Sequence, residues 1–193
     1  MERYEFKDGR VTIVDEELNL DLSSPLEVLS LPDNPKNGQE VKPGTRVAIY
    51  NFSDGSRRVA LEKEGVFHGE WRLLYPSGEM KIRTFYHEGL PHGPFRFFLQ
   101  EGSLLVESWF FDGLKTGKSR SFYTEGEKCS LEQFVEGEPH GAQFFWYPDG
   151  TLKTLMEYEH GLLEGKVNLF HPNGALFRAL RCSKGMVLNG DSD

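Results

Sequence analysis

"YPSGEMKIRTFYHEGLPHG", Tyr75–Gly93, is the stretch whose reading decides the fold. It runs aromatic, turn, strand-like segment, turn. Its glycines recur. Gly78 has partners at Gly102, Gly126, Gly150 and Gly174, each 24 residues on, with Gly55 one register short. Gly89 has partners at Gly65, Gly113, Gly137, Gly161 and Gly185. Gly93 has partners at Gly69, Gly117, Gly141 and Gly165, and Asn189 stands at the next step beside Gly190. Three interleaved glycine series of one period mark a repeat. Its six copies open with "FSDG", "YPSG", "LQEG", "YTEG", "YPDG" and "HPNG". Five of them close on a G-x-x-[H]-G turn, as in "GVFHG" and "GEPHG".

Two strand-like runs lie between the turns of each copy. The longer is "EMKIRTFYHE" in the second copy and "SLLVESWFFD" in the third; the shorter is "EWRLL", "PFRFF", "KSRSF", "AQFFW" and "KVNLF". Both are rich in β-branched and aromatic residues and are bounded by Gly, Pro, Asn and Asp, which predicts strands. None is long enough or helically spaced enough for an amphipathic helix. Glycine reaches the positive φ of tight turns without steric cost, and Pro76, Pro148 and Pro172 pre-set φ just before turn glycines. The prediction is an all-β fold: an elongated, single-layer antiparallel β-sheet solenoid of stacked β-hairpins. With strands about 4.8 Å apart and two per copy, six copies would span roughly 55–60 Å.

The chain has 193 residues, of which 13% are aromatic, and a formal net charge of -8. That charge disfavours general binding to nucleic acid or to an anionic membrane, so no nucleic-acid partner is expected and membrane attachment is not favoured. "MERYEFKDGR" has no apolar core of a secretory signal, and no run reaches a transmembrane length. Cys129 and Cys182 occupy different repeat positions and read as reduced thiols of a cytoplasmic protein. Residues 1–49 differ from the rest. "YEFKDG" echoes "YNFSDG" at Tyr50–Gly55, and "LSLPDNPKNGQEVKPG" is loop-like. The expected organisation is an N-terminal capping segment over 1–49 and a repeat domain over 50–193.

No catalytic pattern emerges, and the protein is not expected to be an enzyme. "GLKTGKSR" resembles a phosphate loop but has three residues where four are needed between the glycines, and a strand where a helix should follow. His68, His92 and His140 recur at one repeat position, but stacked hairpins would hold each about 10 Å from the next, too far for shared ligation. A turn histidine whose ring bonds backbone is the expected role. No metal and no cofactor are expected.

The aromatic positions divide by role. Tyr86, Phe110, Phe134 and Tyr158 share one position, and Leu74, Phe98, Phe122, Trp146 and Phe170 another; both ladders read as core. The position preceding the first ladder varies in chemistry: Phe85, Trp109, Gln133, Glu157, Arg181. It lies on the opposite strand face and is the expected recognition surface, with Arg83, Glu107 and Leu131 of the same parity. Arg72, Arg96 and Arg120 form a further series at roughly 10 Å intervals, suited to an acidic partner or a phosphate chain. The alternative for these arginines is a solvated stripe paired with the chain's own acids. The candidate partner-binding residues are Arg72, Arg83, Phe85, Arg96, Trp109, Arg120 and Gln133.

The pattern Y-P-x-G, strand, G-x-x-H-G, aromatic-rich strand resembles the MORN repeat over about residues 50–190, and more closely its bacterial variant in the YwqK-like family. Thr116 and Glu164 depart from the usual histidine, and the sixth copy lacks a clean final motif. The resemblance implies a curved hairpin solenoid acting in protein association. It also implies an antitoxin or immunity role, with a toxin or secreted effector as the protein partner, occluded on binding. A peripheral membrane, phospholipid-binding scaffold is the alternative.

Overall fold

The computed structural model describes residues 4–7, 10–13, 28–31 and 45–188. Every regular element among them is a β-strand. The chain divides into two compact units, Met1–Gly102 and Ser103–Asp193. The capping segment expected over 1–49 lies mostly outside the described residues.

In the first unit, β1 (Tyr4–Lys7) and β2 (Arg10–Ile13) form a separate antiparallel hairpin. The main sheet runs in the order β3 (Val28–Leu31), β4 (Thr45–Asn51), β5 (Arg57–Lys63), β6 (Val66–Leu74), β7 (Met80–His87) and β9 (Gly93–Phe98). The short β8 (Leu90–Pro91) also pairs with β7. The β3–β4 pair is parallel, and all later pairs are antiparallel. The second unit has the order β10 (Leu104–Phe111), β11 (Leu114–Phe122), β12 (Lys128–Val135), β14 (Gly141–Trp146), β15 (Leu152–Glu159), β16 (Leu162–Phe170), β17 (Leu176–Ser183) and β18 (Met186–Leu188). There β13 (Glu138–Pro139) pairs with β12. These are the antiparallel hairpins that the period predicts.

Two turn chemistries alternate. At "YPSG" the Gly78 N–H donates to Tyr75 O (2.9 Å) and the Tyr75 N–H to Glu79 O (2.9 Å). This is a type I turn closed by a left-handed glycine, with proline at its favoured second place. The same pair of bonds recurs at Phe52, Tyr123, Tyr147 and His171. At the other end, Glu88 (φ 49°) and Gly89 (φ 81°) are both left-handed, as a type I′ turn requires. The first place of that turn is held by Glu64, Glu88, Asp112, Glu136, His160 and Lys184, all with positive φ.

The third glycine series corrects the sequence reading. The last glycine of G-x-x-H-G does not close a turn. It sits where the strand register breaks: Gly69 lies within β6, and Gly93 opens β9 after the gap at His92. Gly93, at φ 112°, adopts a backbone conformation that side chains resist. A positive-φ residue at a bulge lets the strand pair before and after the break.

The copies are stapled by side chains that periodicity alone did not reveal. The hydroxyl of Tyr75 donates to Phe98 O (2.9 Å), that of Tyr123 to Trp146 O (2.7 Å) and that of Tyr147 to Phe170 O (3.0 Å). Each tyrosine thus ties its turn to the carbonyl just ahead of the next turn. The type I′ glycines add backbone bonds between copies: the Gly89 N–H donates to Phe67 O, and the Gly161 N–H to Pro139 O.

A single layer leaves little full burial. Phe134 is buried, whereas Tyr86, Phe110 and Tyr158 of the first aromatic ladder, and all of the second, are half-buried. The deepest apolar cluster lies in the first unit around Val47, Ala48, Tyr50, Ala60 and Leu61. There the buried Glu62 accepts the Tyr50 hydroxyl, and the Arg58 guanidinium stacks 3.7 Å from the Tyr50 ring centre. Burial first, and the Glu62 carboxylate second, push the Tyr50 hydroxyl up to about 12. In the second unit several buried positions are hydroxyl or amide side chains that satisfy one another, such as Ser108 and Ser119 (Oγ···Oγ 2.8 Å).

Candidate interaction face

Side chains alternate across a strand, so residues directly opposite on neighbouring strands line up in rows. In the first unit Arg72 of β6 lies opposite Arg83 of β7, and Arg83 opposite Arg96 of β9. The sequence placed Arg72 and Arg96 two strands apart and left the gap open. The structure fills it with Arg83, giving three guanidinium groups on three successive strands, with about 5 Å between neighbouring backbones.

Like charges directly opposite one another destabilise a sheet, so the row needs a counterion. Glu70 supplies one. Its Oε1 accepts from Arg83 Nε (2.6 Å), and its Oε2 pairs with Arg72. Arg83 also stands 5.7 Å from the Phe85 ring centre, within cation–π range. Arg72 and Arg83 thus share one carboxylate, and Arg96 has an interaction of its own.

Phe85 is on the same strand face as the arginines but is not free for recognition: it is buried, with 8% exposure. It covers Gly93, where an added Cβ would sit 3.5 Å from the Phe85 Cβ. The same relation recurs in the second unit. A Cβ on Gly141 would meet Gln133, and one on Gly165 would collide with the Glu157 carboxylate. At Trp109 a Cβ on Gly117 would meet nothing within 4 Å, whereas at Phe85, Gln133 and Glu157 the variable position faces a glycine bulge. It varies because an opposing glycine leaves space that rings, amides and carboxylates fill equally well. Glu157 also caps the bulge by accepting the Lys166 N–H (2.7 Å). Gln133 is exposed, and its main chain is bracketed by the buried Gln143, whose Nε2 donates to Gln133 O and whose Oε1 accepts the Gln133 N–H, each at 2.9 Å.

The corresponding row of the second unit reads differently. Glu107 lies opposite Arg120, and the two pair at 3.5 Å. Arg120 then faces Leu131, Leu131 faces Phe144, and Phe144 faces Leu155. Arg120, like Arg72 and Arg83, therefore has one of the chain's own acids beside it, which is the pairing that the solvated-stripe alternative describes. Trp109 is half-buried opposite Thr116. In the same unit, burial pulls the Lys115 ammonium below its usual range, opposed by Glu132, and its Nζ lies 3.9 Å from the Phe134 ring centre.

The histidines also depart from expectation. His87, at the end of β7, stands between His68 and His92, with ring centres 5.2 Å from the first and 5.5 Å from the second. The 10 Å gap is thus bridged by a histidine outside the repeated position. In the second unit His140 meets His160 at 5.5 Å, and its buried Nδ1 makes no hydrogen bond. The expected ring-to-backbone bond is therefore not made through that nitrogen.

Half-exposed apolar side chains follow the type I′ glycines: Val66 and Leu90 in the first unit, Leu114, Leu162 and Met186 in the second. Val66 lies against Gly89, Leu114 against Gly137 and Leu162 against Gly185. Each partly covers the next turn. This stripe is visible in the 24-residue spacing as the residue after the turn glycine in five of the six copies, Glu138 being the exception.

Residues 139–160 match the MORN repeat variant. In the structure this span starts at Pro139, passes through β14, the "YPDG" turn and β15, and ends on the left-handed His160. MORN repeats are generally protein- or membrane-interaction modules. No curated protein matches the chain. Among solved structures it is similar to the "Crystal structure of GtfA/B complex bound to UDP and GlcNAc", at 13% identity, over 75% of this chain and 25% of that one, with a TM-score of 0.25. The chain thus spans a quarter of the length of the solved chain it matches.

Proposed function

We propose that the protein is a non-catalytic binding module of the cytoplasm whose Arg72–Arg83–Arg96 row receives an acidic surface of a protein partner. The supporting observation is the register itself: three arginines directly opposite one another on β6, β7 and β9, with Glu70 shared between two. A planar guanidinium binds carboxylate in a two-pronged geometry, and a row of them sets orientation as well as charge. The acidic remainder of the chain repels other anionic surfaces and so restricts contact to the row. The resemblance to YwqK-like proteins supports a finer reading, in which the partner is a toxin or secreted effector and the module is its antitoxin or immunity protein.

The test is affinity capture from native cells, followed by titration of the purified partner against wild type and an Arg83→Glu, Arg96→Glu variant. A stoichiometric partner whose binding collapses in the variant supports the reading. A partner bound equally well by both moves the site elsewhere. The same row also suits lipid phosphate groups, the second reading. Flotation with phosphatidylserine-containing vesicles that depends on Arg83 and Arg96, in the absence of any protein partner, would favour it.

A further inference from the structure

We infer that the type I′ turn edge of the second unit is a docking surface for a cationic amphipathic helix of a partner protein. Three successive turns build it: "FDGL" at 111–114, "VEGE" at 135–138 and "EHGL" at 159–162. Each is flanked by a directly opposed pair, Phe111 with Leu114, Val135 with Glu138, and Glu159 with Leu162. The two members of such a pair share a strand face. The turns also touch. The Gly137 N–H donates to Lys115 O (2.9 Å) and the Gly161 N–H to Pro139 O (3.0 Å). The Leu114 side chain lies against Gly137, and that of Glu138 against Gly161. Phe111, Leu114, Val135 and Leu162 on this ridge are each 40–51% exposed. Exposed carboxylates stand among them, and no lysine or arginine occurs in the three turns. Glu136, Glu138 and Glu159 make no ion pair among the described residues. An apolar ridge rimmed by unneutralised carboxylates is complementary to a segment that carries both apolar side chains and lysine or arginine. Turns two strands apart repeat at about 10 Å, so three span about 20 Å, the length of about 14 helical residues. A helix with one apolar face and a basic rim meets both parts of the ridge at once.

The hairpin does not need this chemistry. In the first unit the position of Phe111 and Val135 is Lys63 and His87, and in the last turn of the second unit it is Ser183. Lys184 stands there at the position of Glu136. Those turns close on the same two left-handed residues. Leu114 and Leu162 partly cover a neighbouring turn, but Phe111 and Val135 stand before the turn, where polar residues serve elsewhere.

The test is fluorescence anisotropy of the full chain with a labelled Lys/Leu peptide of about 14 residues whose leucines share one helical face. A scrambled peptide of the same composition is the comparison. Wild type is expected to bind the first peptide with a Kd of about 100 μM or tighter, and at least about tenfold better than the second. Val135→Lys with Glu136→Lys installs what other copies carry at these positions, Lys63 and Lys184, so the fold should survive, as circular dichroism would verify. This variant is expected to weaken the peptide at least about tenfold. Leu162→Glu should also weaken it, although it adds negative charge. Glu125→Lys, in the "YTEG" turn at the other end of the hairpin, should change it less than about twofold. Wild-type binding weaker than about 100 μM overturns the inference. So does equal binding of the scrambled peptide, binding that the double lysine variant or Leu162→Glu retains, or an equal loss in Glu125→Lys, which reduces the effect to net charge.

Discussion

One row of one repeated backbone carries opposite chemistries in the two units. In Met1–Gly102 the row is Arg72, Arg83, Arg96; in Ser103–Asp193 it passes from the Glu107–Arg120 pair to Leu131, Phe144 and Leu155. Both units use the same type I′ turns, the same bulge glycines and the same tyrosine staples. Backbone and turn chemistry therefore fix the hairpin, and the row facing solvent is free to differ. Guanidinium groups opposite one another cost the sheet stability, whereas leucine opposite phenylalanine adds to it. A costly row in a scaffold that folds with an apolar one points to a use for the charge.

The comparison breaks most sharply at the arginines. Arg83→Glu with Arg96→Glu is expected to weaken the protein partner about 100-fold, equivalent to about 3 kcal/mol, while Leu131→Glu with Leu155→Glu changes affinity less than about threefold. Titration of the purified partner reads both. The next effect is on stability. Gly93→Ala places a side chain at φ 112° against Phe85, whereas Gly117→Ala, at φ 66°, meets nothing within 4 Å. Urea unfolding should show a loss of about 2–3 kcal/mol for the first and about 1 kcal/mol for the second. Tyr123→Phe removes one hydroxyl-to-carbonyl staple between copies and should cost about 1 kcal/mol, with Tyr75→Phe similar in the first unit.

Two smaller effects sharpen the picture of the first unit. Tyr50 ionises near pH 12 when folded, against 10.0 as its ordinary value. A raised folded value means that its stabilisation is present below pH 10 and is lost as pH rises toward 12. Absorbance titration should place the midpoint lower in Glu62→Gln. Glu70→Gln removes the shared counterion of Arg72 and Arg83, and is expected to raise affinity for the acidic partner a few-fold, read by the same titration.

The period made the hairpins legible, because each turn requires a glycine and the glycines count themselves. Which glycine closes a turn was not legible. Gly89 and Gly93 look alike in sequence, but only the first has a left-handed residue, Glu88, beside it. The same ambiguity hid the reason that Phe85, Gln133 and Glu157 vary, since their common partner is the bulge glycine. Arg83 was named by its repeat position, but its place between Arg72 and Arg96, and that of His87 between His68 and His92, was not legible there. Each lies on the strand between two repeated residues, and only the antiparallel register brings it into their row.

The most direct test of the arginine face is covalent labelling of arginines with a dicarbonyl reagent, read by mass spectrometry with and without the bound partner. Arg83 and Arg96 in the first unit are expected to be shielded by the partner, while the exposed Arg178 and Arg181 on β17 label at unchanged rates. Unchanged labelling of Arg83 and Arg96, with shielding confined to Arg178 and Arg181, would contradict the assignment of the interaction face to the first unit.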